Sequence, residues 1–300
     1  MHDSVKQKHP DVKVSYQFYC KYFNENFKLS FGRSEVDSCC VCKEPKFKLR
    51  SPHLNDARKW GAAAELCIHI RRIRKFYSNL KNGHEVGNKH PSTLVSAVDY
   101  MQNIHLPIRP VQELFYLRKL TVNLFCVHYI KKNTTNMYLY HDDIAEKSPN
   151  EVCSFLFDFF KHVPNHIDEI NVDSDNCGEQ NKNHSLIRLF LALTDTRHFK
   201  KIVHFFPIQS HSYLPCDRDF SMIKRMLKKN DRIYKIHHIT ELVVSSSNSH
   251  KFTVNEIHDS SAIADYKTWW LDYYKKTCPS EETAGRTVPR NHQQVQLNTQ

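Results

Sequence analysis

The sequence predicts an α/β fold, a mixed sheet flanked by helices, preceded by a mostly helical N-terminal region with a candidate zinc-binding knuckle. Three observations predict it. From Leu94 to about Lys229, short apolar segments rich in β-branched and aromatic residues alternate with helical patterns. Within that run, Ile170-Asn171-Val172-Asp173-Ser174-Asp175 reads as a short buried strand that ends on acidic residues and turns at Gly178 into a helix. Open α/β sheets hold ligands at the C-terminal ends of their strands. Before about residue 85 the pattern is helical instead, and it contains a CxxC pair, Cys39 and Cys42.

The elements follow in order. Tyr16, Tyr19 and Phe23 fall at helical spacing, followed by Phe27, which predicts an amphipathic helix whose aromatics pack in a core. Cys39 and Cys42 are spaced so that two thiolates of one turn reach one zinc ion. No second CxxC follows, so the remaining ligands must be distant; His69, His53 and Cys67 are the candidates. A reduced turn without metal is the alternative reading. From Pro52 to about Leu80 an apolar stripe of Ala57, Trp60, Ala64, Cys67, Ile68, Ile70, Ile73 and Phe76 predicts a helix. Arg71, Arg72, Arg74 and Lys75 make it basic, suited to phosphates or simply a solvated face. Asn82-Gly83 and the polar run to Pro91 read as a linker between a helical region, 1–85, and a larger domain, 92–275.

In the larger domain, Leu94 to Tyr100 is a strand carrying Asp99, and Pro107 and Pro110 break the loop after it. Lys119 to Ile130 and Met137 to Tyr140 form a hairpin. Ser148 and Glu151 have capping-box spacing ahead of a helix whose apolar face is Val152, Phe155, Leu156, Phe159 and Phe160. The acidic strand at residues 170–172 comes next, then a helix from about Asn183 to Thr194 and a strand from Lys201 to Ile208. Asp217-Arg218-Asp219-Phe220 opens a further helix, since Asp satisfies free N–H groups at a helix start. A packed helix around Trp269, Trp270, Leu271, Tyr273 and Tyr274 precedes a tail, 280–300, expected to be disordered.

Three strands, helix, strand, helix, strand, helix is the ribonuclease H-like order. In that fold, acids from the first strand, the end of the fourth strand and a later helix converge on metal ions. Asp99, Asp175 and either Asp217 or Asp219 occupy those places here. Asn176 and Asn181 would orient a ligand or cap the helix. His211 would touch a phosphate, the attacking water or a structural partner.

Composition narrows the partners. A net charge of +11 and a pI near 9.1 fit a polyanion, nucleic acid before an anionic membrane. No apolar run reaches the ~20 residues of a membrane span. Met1-His2-Asp3-Ser4-Val5-Lys6 lacks the apolar core of a signal peptide. Ten cysteines scattered mostly singly through apolar segments suggest free thiols or metal ligands in a reducing compartment, nucleus or cytosol.

Over roughly Ser15 to Tyr274 the sequence resembles a family of uncharacterised, transposon-derived animal proteins. Their hallmark is a strand ending in Ser-Asp-Asn-Cys-Gly-Gly-Gln-Asn-Lys-Asn. It stands here as Ser174-Asp175-Asn176-Cys177-Gly178-Glu179-Gln180-Asn181-Lys182-Asn183. Ala97 to Gln102 and Phe115 to Leu120 resemble two further motifs of the family. His211-Ser212-Tyr213-Leu214-Pro215-Cys216-Asp217-Arg218-Asp219-Phe220 resembles its final motif, and Asp37 to Cys42 its cysteine knuckle. The resemblance implies a DDE/D-type transposase core that cleaves or joins DNA strands, with Asp99, Asp175 and Asp217 holding Mg2+ or Mn2+. It also places a His-bearing basic helix after the knuckle, which makes His69 the leading third zinc ligand. DNA is the implied partner, with a homo-oligomer open. Glu179, Ser210 and Lys224 depart from the family's usual Gly, Gly and Glu. If that Glu were the third acid this copy would be inactive, a DNA- or protein-binding module. A ribonuclease or exonuclease on the same fold is a third expectation.

Overall fold

A computed structural model of the chain describes residues 2–27, 39–111, 117–208, 211, 213–247, 249–270 and 295–298. Backbone packing divides it into two compact units, Met1–Ser38 and Cys39–Gln300.

The first unit holds α1 (His2–Lys8) and α2 (Tyr16–Asn26). Ser15 caps α2 by accepting the Phe18 N–H. The helix is where the aromatic spacing put it, but no residue of α2 is buried. Two helices this short enclose no interior. Their rings stack along the helix instead, Phe18 on Tyr22 and Tyr19 on Phe23.

The second unit begins with α3 (Cys40–Arg50), for which Cys39 is the N-cap residue, and α4 (Asp56–Lys89), capped by Asn55 accepting the Arg58 N–H. The cysteine pair therefore lies in the first turn of a helix, not in a loop. The stripe expected for α4 is only partly its buried face. Trp60, Cys67 and Ile68 are exposed, while Ala62, His69 and Phe76, spaced seven apart, are buried. The expected linker is also a helix. α4 runs through Gly83 and Gly87, and a Cβ at Gly87 would lie 2.2 Å from Val95 Cγ2. Glycine there lets α4 press against the first strand, so the cysteine helices and the sheet share one compact unit rather than parting near residue 85.

The sheet contains β1 (Thr93–Tyr100), β2 (Ile104–Leu106), β3 (Leu120–Tyr129), β4 (Thr134–His141), β5 (Glu169–Ser174), β6 (Lys201–Phe205), β7 (Phe252–Glu256) and β8 (Val295–Asn298). Seven follow the order β7-β4-β3-β1-β5-β6-β8, and β2 pairs with β3 off that path. β1, β3 and β4 form an antiparallel meander, and β5 and β6 continue it in parallel. This is a ribonuclease H-like mixed sheet. Two strands extend it, β7 parallel to β4 and β8 parallel to β6. β8 lies in the tail expected to be disordered. At those four residues the open edge of β6 supplies unpaired backbone groups to a further strand; residues 280–294, 299 and 300 lie outside the described residues.

Helices α5 (Pro149–Lys161), α6 (His184–Asp195), α7 (Pro215–Lys229), α8 (Ile236–Ser245) and α9 (Tyr266–Trp269) flank the sheet. Ser148 and Glu151 form the expected capping box on α5. Asn183 caps α6 by accepting the Leu186 N–H. On one side of the sheet, Phe155, Leu156, Phe160, Leu186 and Phe190 pack with Val98, Ile170 and Val172. Each such fully buried side chain contributes about 1.5–3 kcal/mol. On the other side, Phe220, Ile223, Ile239 and Val243 of α7 and α8 pack with Ala97, Leu124 and Met137. Trp270 is buried and Trp269 exposed; Leu271, Tyr273 and Tyr274 lie outside the described residues, as do Phe115, Tyr116, Asp37 and Ser210. No described helix is long and apolar enough to cross a membrane.

Candidate metal centre and acidic sheet edge

Two groups of polar side chains stand out. The first is built from α3, α4 and the segment leading into α7. Cys39 and Cys42 face α4 from the first turn of α3, His69 faces them from the buried line of α4, and His211 arrives from 169 residues beyond Cys42. Cys39 Sγ lies 3.4 Å from His69 Nε2, Cys42 Sγ 3.4 Å from His211 Nε2, and the two Nε2 atoms are 3.3 Å apart. All four ligand atoms lie within 4.8 Å of one another. This cluster could hold a metal such as zinc. Burial and the neighbouring Cys39 push the Cys42 thiol up, and burial and His69 push the His211 imidazole down. Both effects disfavour added charge in the cluster, which a bound cation would reverse for the thiols. Cys39, Cys42 and His69 are the residues named from sequence. His211 is the one sequence reading misses as a ligand, because nothing local ties it to the knuckle. His53 and Cys67 are exposed and take no part in the cluster.

The second group is the acidic edge. β1 and β5 are adjacent and parallel, with Ala97 opposite Asp173 and Val98 opposite Ser174. The next positions are Asp99 and Asp175, so these two acids stand side by side at the same end of neighbouring strands. Burial pushes the Asp99 carboxyl up to about 7, with Asp175 and Asp217 adding like-charge repulsion. The same carboxylate accepts the Tyr100 N–H at 2.7 Å, which opposes that rise, and the Lys147 ammonium opposes it weakly. Lys147 is itself tied down, donating to the Met101 carbonyl at 2.9 Å and lying 4.9 Å from the Tyr100 ring centre.

Asp175 is held by the turn that follows it. Its Oδ1 accepts the Cys177 N–H at 3.2 Å and the Asn181 side-chain amide. Asn181 is buried, so its role is to fix Asp175, whereas Asn183 does the capping. Asp217 begins α7. Its Oδ2 accepts the Leu214 N–H at 2.9 Å, and the neighbouring Cys216 thiol donates to the Ala97 carbonyl at 3.3 Å. That bond ties the first turn of α7 to β1. Burial pushes the Asp217 carboxyl up, opposed by the Leu214 N–H and by the Lys224 ammonium.

Asp219, the other sequence candidate for third acid, belongs elsewhere. It is fully buried and binds His128 Nδ1 at 2.8 Å, the Thr135 hydroxyl at 2.7 Å and Lys251 Nζ at 2.5 Å. Burial alone would raise its carboxyl, but these three donors hold it below the usual range. Its charge serves to join α7 to β3, β4 and the residue preceding β7. Asp173, two residues before Asp175, is likewise occupied by His84 of α4 at 3.1 Å.

Arg71, Arg72, Arg74 and Lys75 are all at least partly exposed on α4. Beyond Asp99, Gln102, His105, Arg109, Lys224 and Lys228 line a cavity of about 480 Å³ between the strand end and α7. The fold and these side chains define a ribonuclease H-like α/β protein with an acidic sheet edge and a Cys/His cluster. Residues 113–297 match the model of a family described as a domain of unknown function, DUF7869, and the chain belongs to that family. No curated protein and no solved structure matches the chain.

Proposed function

We propose that this chain is a transposase-derived protein whose acidic sheet edge carries out metal-dependent phosphodiester cleavage or strand transfer on DNA. The observation that carries the proposal is the placement of Asp99 and Asp175 side by side at the same end of adjacent parallel strands, with Asp175 and Asp217 both repelling Asp99. Burial and like-charge repulsion still leave the Asp99 carboxyl raised beside the Lys147 ammonium, and burial leaves Asp217 raised beside Lys224; a divalent ion shared by the three carboxylates would relieve that cost. Hard oxygen ligands suit Mg2+ or Mn2+. Bound there, such ions would polarise the scissile phosphate and activate water or a DNA 3′-hydroxyl.

The chain's own residues have definable tasks. Asn181 and the Cys177 N–H hold Asp175 so that one carboxylate oxygen remains to bind. The Cys216 bond to β1 anchors the first turn of α7, on which Asp217 sits. Arg71, Arg72, Arg74 and Lys75 supply phosphate contacts from α4, and Arg109, Lys224 and Lys228 supply others from the cavity they line. The Cys/His cluster is a structural zinc site in this reading. A nuclear protein that assembles as a homo-oligomer on its DNA fits the same reading.

One observation favours a second function. The Lys224 ammonium acts on Asp217, and an ammonium facing an acid can neutralise it where a metal would otherwise be needed. A catalytically silent DNA- or protein-binding module would use the same basic surface. Nicking of supercoiled DNA in Mg2+ or Mn2+ by the wild type and by Asp175→Ala separates the two. Activity in the wild type alone supports the enzyme. Equal activity in both refutes the role of Asp175, and inactivity of both with salt-sensitive binding retained favours the silent module.

A further inference from the structure

We propose that Cys39, Cys42, His69 and His211 form a tetrahedral Zn2+ centre that clamps the segment leading to Asp217 onto α3 and α4, so that zinc sets the position of the third acid. The part concerning Asp217 rests on the phosphodiester reading; the zinc centre itself does not.

The distances identify the metal class. With Zn–N near 2.05 Å and Zn–S near 2.3 Å, a tetrahedron has edges of about 3.3–3.4 Å between nitrogens and about 3.5 Å between sulfur and nitrogen. The cluster has 3.3 Å between Nε2 atoms and 3.4 Å for two sulfur–nitrogen pairs. Hydrogen bonding accounts for this less well. Each Nε2 in a neutral imidazole either donates or accepts, yet each here meets both a sulfur and another Nε2. One cation satisfies all four groups together. Two thiolates neutralise Zn2+, and a four-protein-ligand set is the closed, structural kind.

The fourth ligand makes the centre more than a staple for a helical pair. His211 lies six residues before Asp217 in the sequence. Tyr77 of α4 reinforces the same point, its hydroxyl donating to the His211 carbonyl at 2.6 Å and accepting the Tyr213 N–H at 3.4 Å. Leu214 then bonds the Asp217 carboxylate through its N–H. From metal to carboxylate, the segment is gripped at His211 and Tyr213, and the Leu214 N–H carries the link on to the Asp217 carboxylate. The Cys216 bond to β1 anchors the same stretch without depending on α4. Loss of zinc therefore loosens the approach of Asp217 without unfolding the sheet.

The test uses the full chain purified without chelator. Elemental analysis is expected to find about one zinc per chain, and Co2+ replacement to give the visible bands of a tetrahedral site with thiolate charge transfer. Chelation of zinc is expected to speed hydrogen exchange at the Tyr213, Leu214 and Asp217 amides while leaving β1, β5 and β6 protected. Mn2+ affinity at the acids, read by electron paramagnetic resonance, should then fall on the order of 10-fold, as when a support of a metal ligand is lost. His211→Ala should lose zinc affinity on the order of 100-fold, and His211→Cys should retain zinc with a shifted Co2+ spectrum. Absence of zinc from folded protein overturns the proposal, as does wild-type zinc affinity in His211→Ala. Exchange at residues 213–217 that ignores zinc overturns the clamp. If His211→Ala does not fold, the Co2+ spectrum and exchange of the wild type still decide. A zinc-dependent clamp in a protein that never nicks DNA would uphold this inference and refute the phosphodiester reading.

Discussion

Asp217 and Asp219 lie two residues apart on one helix and occupy opposite electrostatic situations. Asp219 is fully buried, yet His128, Thr135 and Lys251 hold its carboxyl below the usual range. Asp217 is raised by burial and stands near Asp99, which is raised further by its acidic neighbours. A buried charge supplied with donors is part of the architecture. Charges crowded against like charges at a strand end are instead poised for a cation. The difference teaches that the partners of an acid, not its depth or its motif position, separate structure from site.

The largest test of that contrast is stability. Asp219→Ala leaves His128 and Lys251 without their acceptor in a buried place, and should cost about 3–5 kcal/mol in denaturant unfolding. Asp217→Ala removes one capping bond and a repulsion, so its net cost should stay within about 1 kcal/mol. Equal losses in the two variants would break the comparison.

Stability against pH should sharpen it next. Asp99 has a folded pKa of about 7, above its unfolded value. The folded state holds that proton more tightly, so this contribution is present in full below the unfolded carboxylate range and is lost as pH rises to about 7. Within that window the folded state loses about 1.4 kcal/mol for every pH unit climbed. Asp99→Asn should therefore gain stability over the wild type as pH rises through that window, in metal-free buffer. Asp219 has the opposite sign. Its contribution is present above the unfolded carboxylate range and is lost as pH falls through its lowered folded pKa. A wild-type minus Asp99→Asn difference that is flat from about pH 4 to about pH 8 would contradict the placement of Asp99.

Metal should act on one region and not the other. Mn2+ is expected to stabilise the wild type thermally at slightly alkaline pH and to leave Asp99→Asn and Asp175→Ala unshifted. Asp219→Asn should still respond, from a lower starting point. A response retained in Asp175→Ala would remove that residue from the cation site.

The smallest effect concerns the basic helix. Removing Arg71 and Arg72 together should reduce the log–log salt slope of duplex DNA binding by up to about 1.8, near 0.9 for each phosphate no longer neutralised. An unchanged slope would assign these residues to solvation alone.

Local chemistry makes much of this readable. Short apolar runs mark β1 and the β3–β4 hairpin, alternating Ile170 and Val172 mark β5, and Ser148 with Glu151 marks the start of α5, because these signals operate within one turn or one strand. The element order suffices for the ribonuclease H-like sheet, and the CxxC spacing for half of a metal site. Other features are hidden for a physical reason. The linker expected at Asn82-Gly83 is helical, and its Gly87 lets the helix pack against Val95, a neighbour that no local pattern announces. Strand β7 and its Lys251 neighbour complete the Asp219 network from beyond residue 250.

The sequence by itself determined which residue types are available: carboxylates at the ends of apolar strands, thiols at metal spacing, and a basic helix. Tertiary structure alone decided their assignment. It set Asp99 beside Asp175 by strand register, directed Asp219 into a buried ion network, and brought His211 to Cys42 across 169 residues. Local pattern encodes the period and the caps of an element, whereas the partner of a charged or metal-binding side chain is chosen by chain packing over distances that no local pattern records.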